Sequence, residues 1–224
     1  MLGCFHALLE DFDDSALVDP LPGFHDLRNY KGAYLEAIGS HRRTLDSKFL
    51  YCRRMIEARM DILPLEERIE ADEICQRVIH GDPKCDNFLF DSESGQALAL
   101  IDFDTVSTGP VVVDIGDCLR SFCNPAGEKA GADIVFDSRI CEHMLRSYFQ
   151  TFDLSMADRN LIYHGVRQLT YELGLRFFTD HLNDDRYFKI TSTGENLQRA
   201  WVQFKLLESI ERQRSAIEKA AGIG

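Results

Sequence analysis

The chain has 224 residues, 45% of them hydrophobic and 28% charged, with a formal net charge of -12 at pH 7. That length can bury a real core, and the composition is that of an ordinary globular protein, not a disordered one. So large an excess of acid excludes a protein that works by neutralising nucleic-acid phosphates or an anionic membrane surface, and no apolar run approaches the roughly 20 residues of a membrane helix.

The N-terminal stretch MLGCFHALLEDFDD has no basic flank and meets acids at once. It makes a poor secretory signal, Cys4 sits too near the start for a lipoprotein site, and the expected compartment is the cytoplasm. Leu2, Phe5, Leu8, Leu9 and Phe12 recur at helical spacing, and Pro20, Pro22 and Gly23 then punctuate the loop PLPGFHD. Leu45, Phe49, Cys52, Ile56 and Met60 form the stripe of a longer helix closed by Pro64, and Glu66 to Gln76 reads as another helix. The period then changes. RVIH, NFLFD and ALALID are short apolar runs, with the turn sequence DSESG between the last two.

A helix is expected from near Asp114. Beyond it, Ile140, Met144, Leu145 and Tyr148 share a face, and Ser155 with Asp158 makes a capping pattern before a helix carrying Leu161, Ile162, Leu169, Leu173 and Phe177. Ser192 and Glu195 repeat that pattern ahead of a terminal helix lined by Leu197, Trp201, Phe204, Leu207, Ile210 and Ile217. These stripes read as core, and no repeat or low-complexity linker interrupts them. The expected architecture is α+β and mostly helical. It forms one continuous domain over 1–224, with a hairpin-bearing segment at 78–120 and a helical remainder at 121–221. The seven cysteines are odd in number and contain no C-x-x-C pair, and no H-E-x-x-H occurs, so the thiols read as reduced and mostly buried.

The chemistry concentrates in VIHGDPKCDNFLFD, residues 78–91. A turn between two apolar strands needs one or two polar residues, and this one has a histidine, two aspartates, a lysine and an asparagine. His80, Asp82 and Asn87 have the spacing of a kinase catalytic loop, H-x-D-x-x-x-x-N. There the aspartate accepts the proton of the attacking hydroxyl and the asparagine holds a metal ion. Downstream, the strand ALALI delivers Asp102 in IDFD. Phosphoryl transfer needs little covalent help but requires nucleophile, phosphate and Mg²⁺ in line, and oxygen donors of this kind suit Mg²⁺.

The segment Val78 to Arg120 resembles the catalytic core of the aminoglycoside phosphotransferase and choline kinase superfamily. HGDPKCDN is similar to its catalytic loop, IDFD to its metal-binding segment and GPVVVDIGD to the turn and helix that follow. The resemblance implies ATP and Mg²⁺ as cofactors and the hydroxyl of a small molecule as acceptor. It makes Asp82 the catalytic base, Asn87 and Asp102 metal ligands, and Lys84 a partner of the γ-phosphate. His80 and Asp114 are expected to brace the loop. Asp104, where protein kinases carry glycine, fits the small-molecule branch. No A-P-E segment or long activation loop follows IDFD, which argues against a protein kinase.

Farther out, LGCFHALLEDFD and PGFHD are similar to the segment leading from the hinge to the substrate region in sugar-directed members such as N-acetylhexosamine kinases. His25 and Asp26 then become candidates for hydrogen bonds to sugar hydroxyls, with Asp26 as a helix cap the competing reading. Asp117 and Arg120 are candidates for the acceptor pocket, against pairing within the fold. Nothing before residue 78 resembles G-x-G-x-x-G or V-A-I-K, and no Walker-type sequence occurs. The chain is therefore expected to correspond to a kinase-like C-terminal lobe, with the N-terminal β lobe absent. An apolar surface left at the cleft would favour a homodimer. The alternative to a small-molecule kinase is a non-catalytic remnant that binds a metabolite or a partner protein.

Overall fold

The computed structural model describes residues 1–40, 46–68, 74, 76–128 and 133–223. Helices dominate, as the apolar stripes predict. The chain opens with α1 (Leu2–Leu8), then a loop, α2 (Leu27–Ser40), α3 (Ser47–Glu57) and the short α4 (Leu65–Arg68). Four short strands follow, β1 (Arg77–Ile79), β2 (Phe88–Phe90), β3 (Ala97–Leu100) and β4 (Ser107–Gly109). The remainder is α5 (Val111–Phe122), α6 (Ser138–Phe149), α7 (Met156–Leu182), α8 (Glu195–Arg212) and α9 (Arg214–Ala220).

The strands form two antiparallel pairs, β1 with β4 and β2 with β3. In the β2–β3 hairpin Phe88 faces Leu100, and an irregularity falls between Leu89 and Phe90. Its turn is the expected DSESG. The Asp91 carboxylate accepts from the Ser94 amide at 2.7 Å, and Gly95 takes a positive φ of 69° that suits a residue without Cβ.

The 27-residue α7 is the axis of the fold, with buried residues on every side of its long middle section. A helix buried all round must be covered on all sides. Here α8, α5 and α2 cover it. One core cluster gathers Val112, Ile115, Leu119, Ile162, Val166 and Leu206, and a second gathers Phe49, Ile56, Tyr171, Phe178, Phe204 and Leu207. Where α5 crosses α7 the backbones touch. A Cβ on Gly116 would stand 2.7 Å from the Gly165 carbonyl carbon, and one on Gly165 would stand 2.6 Å from the Val112 oxygen. No side chain fits between them.

Several boundaries differ from those expected. Helix α5 starts at Val111, because Pro110 at its N-cap, φ -71° and ψ 129°, has the extended backbone of a cap and the run Val111–Val113 packs into the core as its first turn. The cap at Ser155 is as expected, its Oγ accepting from the Asp158 amide at 3.1 Å. That at Ser192 is not. Gly194, in the left-handed region, is the N-cap of α8, and the Glu195 carboxylate reaches back to the Thr191 amide at 2.6 Å. The single terminal helix breaks at Gln213 into α8 and α9. Helix α3 ends at Glu57, short of Met60. Leu45, most of the helix expected over Glu66–Gln76 and Cys75 lie outside the described residues. Among the described cysteines, Cys52, Cys118, Cys123 and Cys141 are buried free thiols. No helix among the described residues is long and apolar enough to cross a membrane.

Candidate active site

The turn His80–Gly81–Asp82 follows β1, and side chains from three other parts of the fold hold its backbone. Asp114, fully buried in the first turn of α5, accepts the His80 amide at 2.7 Å and the Gly81 amide at 2.8 Å. The Thr105 hydroxyl donates to the His80 carbonyl at 2.8 Å. Gly81 has φ 86°, and a Cβ there would lie 2.5 Å from the Thr105 carbonyl oxygen, so both conformation and space require glycine. Backbone polar groups buried this deeply need partners, and here side chains supply what no sheet reaches.

A third donor, His6 of α1, reaches Asp114 through Nε2 at 3.0 Å. A carboxylate only accepts, so Nε2 carries the hydrogen, and Nδ1 shares a hydrogen bond with the Tyr148 hydroxyl, 2.6 Å away. His80 itself is fully buried. Its Nε2 donates to the Ile101 carbonyl at 3.0 Å and its Nδ1 accepts from the Asp82 amide at 3.3 Å, which ties Asp82 to the peptide just before Asp102.

Asp82 is half-buried. Its carboxylate pairs with Lys84 Nζ, and its carbonyl accepts from Asn87 Nδ2 at 2.7 Å. Burial and the neighbouring Asp117 raise the Asp82 pKa above the ordinary carboxylate value, against the pull of Lys84 and Arg120. With Nδ2 of Asn87 committed to Asp82, its Oδ1 is the atom left for a ligand. Across the hairpin the Asn87 carbonyl accepts the Ile101 amide at 2.9 Å, so Asp102 emerges directly beside Asn87. Asp102 is exposed, makes no side-chain capping bond and sits at φ 69°, a left-handed conformation that costs a non-glycine residue on the order of 1 kcal/mol.

The two side chains fit a Mg²⁺ ion by donor chemistry. One carboxamide oxygen and one unpartnered carboxylate stand at adjacent places on one hairpin end, and Mg²⁺ takes one or two protein oxygens and fills its shell with water and phosphate. No cluster of three His, Cys, Asp or Glu residues among the described residues offers a softer metal a site.

Asp117 and Arg120 lie one helical turn apart on α5, both buried, and pair at 2.8 Å. Arg120 also reaches Glu128 at 3.4 Å, and Glu128 in turn accepts from Arg199 of α8 at 2.9 Å. Burial alone would raise the Asp117 pKa, but Arg120, His25 and Lys84 outweigh it and hold the carboxyl below its ordinary value. One Asp117 oxygen, Oδ2, is buried with no hydrogen-bond partner. Asp26 accepts the Arg28 amide at 2.9 Å at the start of α2, which is the capping role. Asp104 is exposed. The two ring nitrogens of His25 are taken by Glu172 of α7, at 2.9 Å, and by the Gly81 carbonyl, at 2.8 Å, and a sugar hydroxyl would have to compete with both.

Sequence reasoning missed His6, Thr105, Tyr148 and Glu172. His6 and Tyr148 sit inside apolar helical stripes, and each finds its partner more than 100 residues away. Glu172 was the findable one, an acid set between Leu169 and Leu173 on a helix expected to be core.

Residues 1–146 match the family model of the Phosphotransferase enzyme family, known as APH. The chain belongs to this family. Its fold is also similar to a solved choline/ethanolamine kinase family protein from Mesorhizobium loti, with a TM-score of 0.51 at 17% identity. That match covers 99% of this chain and 66% of the other, so the chain spans under two thirds of that protein's length. The architecture is thus the mostly helical, kinase-like fold, with two short strand pairs at the catalytic loop and no large β lobe among the described residues.

Proposed function

We propose that the protein transfers the γ-phosphoryl group of ATP to a hydroxyl of a small molecule, most plausibly a sugar or amino sugar. The observation that carries this reading is the convergence of Asp82, Lys84 and Asn87 in one turn, with the unpartnered Asp102 set beside them across the hairpin. Asp82 orients the acceptor hydroxyl and takes its proton, and its raised pKa makes it a better base than an ordinary carboxylate. Lys84 leaves the Asp82 carboxylate for the γ-phosphate when nucleotide enters. Asn87 Oδ1 and Asp102 would hold Mg²⁺, which when bound neutralises the phosphate oxygens and aligns them for in-line transfer. The buried, unpartnered oxygen of Asp117 supports an acceptor rich in hydrogen-bond donors, since such an atom in a dry site rejects a ligand that leaves it unpaired.

The test is calorimetric titration of the chain with ATP, with and without Mg²⁺, beside Asp102→Ala and Asp82→Asn. Binding that depends on Mg²⁺ and is lost in Asp102→Ala, but kept in Asp82→Asn while turnover disappears, is the expected pattern. Mg²⁺-dependent binding that survives Asp102→Ala would remove the metal assignment, and undiminished turnover in Asp82→Asn would remove the base.

A further inference from the structure

The loop before α2 bends sharply at His25, which takes a φ of 66° in the left-handed region and lies against Phe24, the two rings tilted by 44° with centroids 4.1 Å apart. The bend carries the imidazole between two elements distant in sequence. Nδ1 lies 2.9 Å from Glu172 Oε1 on α7, and Nε2 lies 2.8 Å from the carbonyl oxygen of Gly81, the residue before Asp82. A carboxylate and a carbonyl both only accept, so both ring nitrogens must carry hydrogen and the ring is an imidazolium. The side chain is 12% exposed and that of Glu172 1% exposed, so little water competes for either bond.

We infer that His25 is a positioning residue of the phosphotransfer, a charged clamp that fixes the Gly81 carbonyl and so holds the turn that aims Asp82. The inference rests on the phosphotransferase reading of the site. The two peptides that flank the Gly81 Cα are thereby each gripped, the first through its amide by Asp114 and the second through its carbonyl by His25. Loss of the second grip leaves the peptide unit that leads into Asp82 held only by the longer bond from its amide to His80 Nδ1, at 3.3 Å. The groups facing the imidazolium are Glu172 and Arg176 from α7, Asp117 from α5, Tyr30 from α2 and the catalytic turn itself. Burial works against the charge. The Glu172 carboxylate, the Gly81 carbonyl and Asp117 outweigh it and raise the pKa to about 9, so the clamp is closed at neutral pH.

The experiment combines an NMR titration of the histidine rings and backbone amides with Mg²⁺·ATP hydrolysis to water as the activity probe. Wild type, His25→Gln, Glu172→Gln and Asp82→Asn are compared. The His25 ring should stay doubly protonated through neutral pH and titrate near pH 9, with the Gly81 and Asp82 amides moving in step. Glu172→Gln should bring that midpoint down by about one unit or more. His25→Gln should lower kcat about tenfold, leave KM for ATP within about twofold and abolish the alkaline fall of kcat. A ring midpoint at the ordinary histidine value, or amides that do not follow the ring, overturns the clamp whether or not the protein turns over. If Asp82→Asn is inactive while His25→Gln keeps full kcat, the positioning role alone falls. A wild type that does not hydrolyse ATP, or an Asp82→Asn variant as fast as wild type, removes the phosphotransfer reading, and the titration still decides whether His25 grips the turn.

Discussion

Around Asp82 almost every backbone group of the turn is held by a buried or half-buried side chain, whereas Asp102, on the neighbouring hairpin, stands exposed on a strained backbone with no side-chain capping bond. The base half draws on α1, α5, the segment after β3 and the loop before α2. The metal half rests on the cross-strand bond from the Ile101 amide to the Asn87 carbonyl and the tie from His80 to the Ile101 carbonyl. The chemistry accounts for the contrast. A base must be aimed before the reaction, since a misplaced proton acceptor loses most of its effect. A metal ligand is drawn into place by the ion it binds, and its own exposure is what allows water and phosphate to complete the coordination shell.

If that contrast is real, the two halves must respond differently to mutation, and the largest effect should come from the base half. Asp114→Ala removes the one acceptor of the His6, His80 and Gly81 donors and leaves them in a dry interior. Urea unfolding should show a loss of about 3–5 kcal/mol. A loss under about 1 kcal/mol would mean that the brace is dispensable.

Next comes pH. The His25 pKa is raised from an ordinary 6.5 to about 9 in the folded protein, so its contribution is complete below the unfolded value and fades as pH rises through the folded one. Stability should fall between neutral pH and about pH 10 by at most about 3 kcal/mol, and Glu172→Gln should flatten that fall. Gly81→Ala follows. It forces a Cβ against the Thr105 carbonyl at a positive φ and should cost about 2 kcal/mol in thermal denaturation, with activity falling alongside.

The metal half should behave in the opposite sense. Asp102→Gly relieves a left-handed conformation without removing any hydrogen bond, so stability should hold or rise by up to about 1 kcal/mol while Mg²⁺-dependent ATP binding disappears. A variant that loses both at once would show that Asp102 also braces the fold and would erase the distinction. The smallest effect concerns the exposed apolar side chains on and just after the hairpin, Leu89, Phe90, Leu98, Ile101 and Phe103. Leu98→Lys should change stability by less than about 0.5 kcal/mol but reduce self-association in light scattering. A wild type that is already monomeric would dispose of the homodimer proposal.

What could be read from the sequence was what depends on near neighbours. The apolar stripes of α6, α7 and α8, the Asp91 turn and the polar turn at His80 to Asn87 are local patterns, and the fold follows them. The start of α5, expected near Asp114, lies at Val111, because the buried run Val111–Val113 forms its first turn after the cap at Pro110. Ser192 misled because the Ser-x-x-Glu spacing was present while Gly194 had the conformation that caps. The brace of the base was illegible for a plainer reason. His6 and Asp114, or His25 and Glu172, are 108 and 147 residues apart, and nothing local distinguishes a histidine that will find a carboxylate from one that will not.

The glycine crossing of α5 and α7 has one more consequence. Because the helices meet main chain to main chain, their spacing is set by atoms common to every amino acid, and side-chain exchange cannot tune it. That contact fixes how deep Asp114, and with it the catalytic turn, sits in the molecule. Asp117 and Arg120 ride on the same helix, farther along, where their neighbours are side chains from other elements. One rigid rod therefore carries both a part that resists sequence drift, beneath the turn at Asp82, and a part that can change.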